Sequence, residues 1–273
     1  MSLFICPVCR KPLSVIGRSY KCENGHCFDI ASEGDANLLP ANKKNSKIPG
    51  DDKDMAAARS EFLSKDYYRC LKDRLCDIMG SLAADSVNIL DTGCGEGYYT
   101  SHIFQYLTER GIDVHLAGTD ISKVILKKAA RREKRAEYAV CSSYDLPVAD
   151  KSIDILLNCF SPLALSEFAR VLKSGGRFVY VVPGKRHLWG LKQVLYDVPY
   201  ENEEKMTPYE GFRYLSVEHA EDEIHLSSQV DIEAMFTMTP YYWKTPRAGK
   251  ERLAALKELD TRIEFNIHIF EKE

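Results

Sequence analysis

Two groups of residues have types and spacings that do chemistry. The first is Cys6-Pro7-Val8-Cys9, followed after twelve residues by Cys22 and, four positions on, by His26. Two pairs of soft ligands on tight turns make the donor set of a tetrahedral zinc ion, and Asn24-Gly25 supplies the turn inside the second pair. Cys27 adjoins His26 and is an alternative fourth ligand; the spacing alone leaves both open. So short a segment cannot bury enough apolar surface by itself, so a metal staple is expected. With four protein ligands such a site is closed, which fits a structural or recognition role rather than catalysis. The second group is Asp91-Thr92-Gly93-Cys94-Gly95-Glu96-Gly97. Glycines at alternate positions let a backbone turn sharply and approach a ligand. The dinucleotide fingerprint is Gly-x-Gly-x-x-Gly and cradles a pyrophosphate. Here the spacing is Gly-x-Gly-x-Gly, and Asp91 and Glu96 add negative charge, which suits a cationic ligand with a free amino group. A further acid, Asp120, ends the next apolar run, where a carboxylate can accept both hydroxyls of a ribose.

These groups need a scaffold, and the hydrophobic pattern supplies one. Residues 56–63 and 68–82 read as helices, the second with Leu71, Leu75, Ile78, Met79 and Leu82 at helical spacing. Strands are expected at 87–90, 114–119, 136–140, 153–159 and 177–182, and helices at 99–107, 122–135 and 166–172. The pair Gly175-Gly176 reads as a tight stop before the strand at 177. Residues 263–269 alternate apolar with polar and read as a further strand. This βαβα alternation predicts an α/β fold, a parallel sheet with helices on both faces. The chain divides into a zinc-binding module at 1–38, a polar linker at 39–54 carrying Lys43, Lys44, Lys47, Pro49, Gly50 and Asp51, and a large domain at 55–273.

Composition sets limits on function. The 273 residues are 45% hydrophobic and 28% charged with a net charge of -3, so nothing global announces a polyanionic partner. Contact with nucleic acid would need local basic clusters. Lys43, Lys44 and Lys47 form one, Arg131, Arg132, Lys134 and Arg135 another, and Lys185 with Arg186 a third. No apolar run has the length of a membrane span, and the N-terminal residues lack the pattern of a secretory signal. Nine cysteines fit a reducing, cytoplasmic compartment.

The acidic, glycine-rich loop resembles the first motif of class I methyltransferases, a Rossmann-like fold. That resemblance implies that the loop holds the amino-acid end of S-adenosylmethionine, that Asp120 binds the ribose, and that Ser142 and Ser143 lie where the adenine is contacted. The whole chain resembles one family, the bacterial large-subunit (23S) ribosomal RNA guanine-N1 methyltransferases of the RlmA type. The resemblance is carried by Cys6-Pro7-x-Cys9, Cys22-x3-His26-x-Phe28-Asp29, Asn37-Leu38-Leu39-Pro40, Pro49-Gly50-Asp51, Ala58-Arg59-x-x-Phe62-Leu63 and Asp91-x-Gly93-Cys94-Gly95-Glu96-Gly97. It continues through Pro183-Gly184-x-Arg186-His187-Leu188, Met238-Thr239-Pro240 and Phe265-Asn266-Ile267-His268.

Membership would imply zinc on Cys6, Cys9, Cys22 and His26, with no counterpart for Cys27. It would also imply cofactor contacts from Tyr68, Gly95, Glu96 and His187, ribosomal RNA as substrate, and a homodimer. The expected cofactor site is thus Tyr68, Asp91, Gly93, Gly95, Glu96, Gly97, Asp120, Ser142 and His187. No residue stands out as a general base. At the end of the fourth strand, Phe160 is placed to stack on a flipped base and Asn158 to hydrogen-bond its edge. The zinc module is expected to select the RNA while the large domain performs the chemistry. The competing readings are a small-molecule methyltransferase and a non-catalytic zinc-containing RNA-binding protein.

Overall fold

The computed structural model describes residues 2–40, 53–204 and 209–273; the linker residues Lys43, Lys44, Lys47, Pro49, Gly50 and Asp51 lie outside them. The chain opens with β1 (Ser14–Ile16), β2 (Ser19–Lys21) and β3 (Cys27–Asp29), a small antiparallel sheet, and then β4 (Asp35–Asn37). The helices α1 (Lys53–Ser64) and α2 (Arg69–Leu82) follow. The alternation expected from the sequence then runs β5 (Ser86–Thr92), α3 (Tyr98–Glu109), β6 (Asp113–Asp120), α4 (Lys123–Arg132), β7 (Glu137–Val140), β8 (Ile153–Cys159), α5 (Leu165–Val171) and β9 (Leu172–Pro183). The remainder is α6 (Trp189–Leu195), β10 (Phe212–Leu226), α7 (Gln229–Thr237), α8 (Tyr241–Lys244), α9 (Arg247–Ala254) and β11 (Leu259–Lys272). None of these helices is long and apolar enough to cross a membrane.

The large sheet has the order β10-β11-β9-β8-β5-β6-β7-β4. Strands β4 to β9 pair in parallel, while β11 runs antiparallel to β9 and β10 antiparallel to β11. The central strands are apolar on both sides because both faces are covered: Ile89, Leu90, Leu116, Ala117, Ile155, Leu156 and Leu157 are all buried. One face packs on residues of α2, α3, α4, α6, α7 and α9. The other packs on Phe168 of α5 and on Phe4, Leu13, Tyr20, Ala36 and Leu38 of the N-terminal segment. The order reverses at β5, which lies between β6 and β8, and this opens a crevice at the carboxyl ends of β5 and β8.

Three strands differ from the sequence expectation, and α7, α8 and α9 have no counterpart in it. Strand β10 has no counterpart in it, because it is an edge strand whose buried residues are only Phe212, Ala220, Ile224 and Leu226 and whose remainder is mostly polar. Gly175-Gly176 is not a stop but an irregularity inside β9: Ile153 pairs with Leu172 and Ile155 with Arg177, with Gly175 at a φ of 76° taking up the extra residues. Strand β4 is too short to show a pattern, yet it extends the main sheet by pairing with β7, so the segment 1–38 reaches the large domain directly.

Candidate cofactor site and metal centre

Strand β5 ends in Asp91 and Thr92, and the loop to α3 is pinned when the Gly93 and Cys94 N–H groups donate to the Thr119 carbonyl, at 2.7 and 2.9 Å. Gly93, Gly95 and Gly97 have φ of 69°, 57° and 75°, a region open to glycine. Their roles differ. A Cβ on Gly93 would lie 2.1 Å from Ser161 Oγ, and one on Gly97 would lie 2.9 Å from Ala129 Cβ. At Gly95 the nearest atoms, on Arg59 and Ile125, are 3.8 Å away. Gly93 and Gly97 are therefore glycine for packing, whereas Gly95 has room for a Cβ in ordinary contact with its neighbours.

The acids are arranged around this loop. The buried Asp91 accepts the Thr100 hydroxyl on Oδ2, while Oδ1 has no hydrogen-bond partner. Burial, reinforced by the charge of Asp120, pushes its carboxyl up to about 7. A buried carboxylate oxygen left over at a strand end fits an ammonium ligand. Asp120 accepts the Gly95 N–H at 3.0 Å and the Ser122 N–H at 2.8 Å, tying the loop after β5 to the turn after β6. The Cys141 N–H donates to the Asp120 carbonyl at 3.1 Å, which brings Ser142 alongside. Ser142 Oγ accepts the Tyr144 N–H at 3.2 Å. Asp91, Gly93, Gly95, Gly97, Asp120 and Ser142 thus gather at three adjacent strand ends. Glu96 is buried with them, but its oxygens are engaged by Arg132 at 2.8 Å and by Ser60, so it clamps α1 and α4 to the loop.

Tyr68 and His187 are brought to each other. The Glu264 N–H donates to His187 Nδ1 at 3.2 Å, which leaves Nε2 facing the Tyr68 hydroxyl at 3.3 Å. Burial first, then the charge of Lys192, lower the imidazole pKa to about 3, so the ring is neutral. Phe265 packs edge-on to Tyr68 and tilted against His187, with centroids 4.9 and 4.7 Å away. Phe160 closes the row 5.8 Å from Phe265; it is 46% exposed, with a left-handed φ of 54° just past the end of β8. Asn158 is wholly buried; its amide donates to Thr92 Oγ1 at 3.1 Å and to the Pro162 carbonyl at 3.3 Å, which organises the turn, while its Oδ1 has no hydrogen-bond partner among the described residues. The basic clusters are also less available than their sequence suggests. Arg131 pairs with Glu33, Arg132 with Glu96, Arg135 with Glu133, and both Lys185 and Arg186 with Glu201.

In the N-terminal segment, Cys6, Cys9, Cys22 and His26 place their ligand atoms within 4.8 Å of one another. Cys9 Sγ and Cys22 Sγ are 3.6 Å apart, and Cys22 Sγ is 3.3 Å from His26 Nδ1. A zinc tetrahedron with bonds of about 2.3 Å has edges of about 3.8 Å, so the donor set fits the ion. The turns that present it are defined by backbone: the Arg10 N–H donates to the Cys6 carbonyl at 2.8 Å and the Gly25 N–H to the Cys22 carbonyl at 3.0 Å. The Lys11 amide holds the Cys9 thiol down to about 6, toward the thiolate a metal requires. Cys27 is exposed in β3 and stands outside the cluster, so of the two candidates it is His26 that lies with the three cysteines.

Sequence reasoning missed the residues that attach this segment to the sheet. Glu137 accepts the Leu3 N–H at 2.9 Å, the Tyr20 hydroxyl at 3.0 Å and the Ser2 hydroxyl. Its partners lie more than a hundred positions away, and nothing local marks the acid.

Residues 4–47 match the family described as RlmA, N-terminal, a zinc ribbon, and residues 83–240 match a methyltransferase domain family. The chain is 35% identical over 195 residues to the 23S rRNA (guanine(748)-N(1))-methyltransferase of Streptomyces fradiae, a match spanning 70% of this chain and 66% of that protein. It is 29% identical over 279 residues to the putative 23S rRNA (guanine-N(1)-)-methyltransferase YxjB of Bacillus subtilis, spanning 98% and 96% of the two. The crystal structure of the YcgJ protein from Bacillus subtilis covers 74% of this chain and 99% of its own at 17% identity with a TM-score of 0.52, which shows the fold. A zinc ribbon ahead of an acidic glycine-loop crevice, in both sequence and geometry, places this chain in the RlmA-type family of S-adenosylmethionine-dependent 23S rRNA guanine-N1 methyltransferases.

Proposed function

We propose that this chain transfers a methyl group from S-adenosylmethionine to N1 of a guanine in 23S ribosomal RNA. The observation that carries the reading is the joint presence of the ribbon and the crevice in one chain, aligned along nearly its whole length with a relative named for that reaction. When bound, S-adenosylmethionine supplies an electrophilic methyl carbon on a sulfonium. In this reading Asp91 Oδ1 receives the ammonium, Gly95 lets the ligand pass against bare backbone, Asp120 accepts the ribose hydroxyls, and Ser142 borders the adenine. Tyr68 and His187 close the amino-acid end as a neutral pair. A protonated imidazole there would repel a cationic ligand.

Guanine N1 carries a proton at neutral pH, so the site must assist its loss or stabilise charge on O6. Phe160, exposed on its left-handed turn, is the platform on which an extruded guanine stacks. Lys185 and Arg186 can exchange their shared partner Glu201 for RNA phosphates, and the ribbon selects the RNA. The family resemblance supports a homodimer, which light scattering of the purified chain tests, and the substrate puts the work in the cytoplasm with the ribosomes.

Labelled methyl transfer to protein-free 23S RNA, to assembled subunits and to a small-molecule extract tests the reading. The expected product is N1-methylguanosine in the digested RNA. Phe160→Ala should lower RNA methylation about tenfold or more, the scale of a lost base stack, with cofactor affinity unchanged. Label appearing only in the small-molecule fraction overturns the proposal.

A further inference from the structure

The connection from β7 to β8 carries the nucleoside side of the crevice, and the zinc ribbon holds it at two points. Before Ser142, β4 lies parallel to β7, and the Leu38 N–H donates to the Val140 carbonyl at 3.0 Å. After Ser142, the Ile5 N–H donates to the Pro147 carbonyl at 2.8 Å, and Phe4 bridges Val148. Arg10 donates through Nη1 to the Leu146 carbonyl at 3.1 Å and lies 3.8 Å from Asp145, the residue that bridges back to Ser142. From the core side, Arg170 donates to the Leu146 and Val148 carbonyls, and Glu167 accepts the Leu146 N–H at 2.8 Å. The connection is therefore gripped between α5 and the ribbon.

The ribbon's half of that grip depends on the metal centre. Arg10 follows the ligand Cys9 directly and sits at a left-handed φ of 59°, in the turn closed by its own N–H onto the Cys6 carbonyl. Cys6 and Cys22 belong to the same buried cluster as Leu146 and Val148. Bonds from one ion to Cys6 and Cys9 fix the turn that aims Arg10, and bonds to Cys22 and His26 fix the sheet behind it. Without the ion, only weak thiol hydrogen bonds link these side chains, and the turn is held far less firmly.

We infer that the zinc ribbon is a wall of the nucleoside end of the cofactor site, with Arg10 as its positioning residue, so that metal occupancy sets cofactor affinity. This rests on the reading that puts the nucleoside at Asp120 and Ser142. The coupling is reciprocal: by whatever factor the ion tightens cofactor binding, the cofactor must tighten retention of the ion.

The test titrates S-adenosylhomocysteine into the full-length protein by calorimetry. Arg10→Ala keeps all four metal ligands and should weaken binding about fivefold or more, as should removal of zinc with a chelator. Val15→Ser, on the exposed strand β1 away from the connection, should leave affinity unchanged. Saturating S-adenosylhomocysteine should raise zinc affinity, measured by transfer to a chromogenic chelator, by the factor seen on zinc removal. If Arg10→Ala and the zinc-free protein bind like the parent while Asp120→Ala binds weakly, the inference is overturned and the site reading stands. If Asp120→Ala also binds like the parent, the placement of the nucleoside has failed first. Should circular dichroism show that the zinc-free chain unfolds, the Arg10→Ala titration decides alone.

Discussion

The ribbon brings four potential metal-ligating side chains together from residues 6–26, whereas the crevice is built largely from backbone at the ends of β5, β6 and β7. In the ribbon, ligand identity is side-chain chemistry, and changing one residue changes the site. In the crevice, the glycines contribute absence, and the acids are kept in place by amides and hydroxyls from other elements. A site of the first kind should fail through loss of structure. One of the second kind should fail through loss of binding while the fold persists.

Cys22→Ser gives the largest expected effect. It removes a ligand and places a weaker one in a cluster shared with the main core, so zinc content should fall below one per chain. Stability should drop by about 3–5 kcal/mol, read from urea unfolding with and without added zinc. If the variant keeps its zinc and its midpoint, side-chain ligation is not what holds the ribbon. Gly95→Val tests the opposite case. The space around Gly95 accommodates a Cβ, so the backbone strain of its positive φ should cost only about 1–2 kcal/mol of stability. Cofactor binding should nevertheless fall about a hundredfold or more, because the branched side chain occupies the approach to the loop. Comparable losses of stability and affinity would erase the distinction.

The smallest effect sharpens the comparison through pH. Asp91 in the folded chain holds its proton up to about 7, well above its unfolded value of 3.8. The folded state therefore binds more protons between those values, and stability falls as pH rises through that window. Between pH 6 and 8 this one group accounts for a decrease of about 1.4 kcal/mol in the ligand-free protein. An ammonium ligand needs the ionised form, so cofactor affinity should rise about tenfold over the same interval. Asp91→Asn should flatten both profiles; a ligand-free stability that does not fall between pH 6 and 8 would remove the argument.

What was legible in the sequence follows the same division. The pairs Cys6-Cys9 and Cys22-His26 are local and could be read from spacing, though only geometry separates His26 from Cys27. The βαβα order and the glycine loop were also legible, since both lie in continuous stretches with strong patterns. Glu96 has the right type for a ligand contact, but its partners Ser60 and Arg132 come from α1 and α4, which no local pattern predicts. The setting of Asn158 was hidden for a similar reason: the Thr92 hydroxyl that claims its amide comes from a neighbouring strand. Strand β10 was invisible because it needs only one apolar face at the sheet edge, and β4 because three residues carry no period.

The pairing of β4 with β7 also has a meaning in time. Glu137, which takes the Ser2 hydroxyl, follows it by 135 residues. At about 5–20 residues per second, the ribosome needs on the order of ten seconds to deliver that partner. During the interval the ribbon's outer strand has no β7 to join, and Phe4 and Tyr20 have no core to enter. Zinc captured early would keep the nascent N-terminus in shape until the rest of the sheet arrives to receive it.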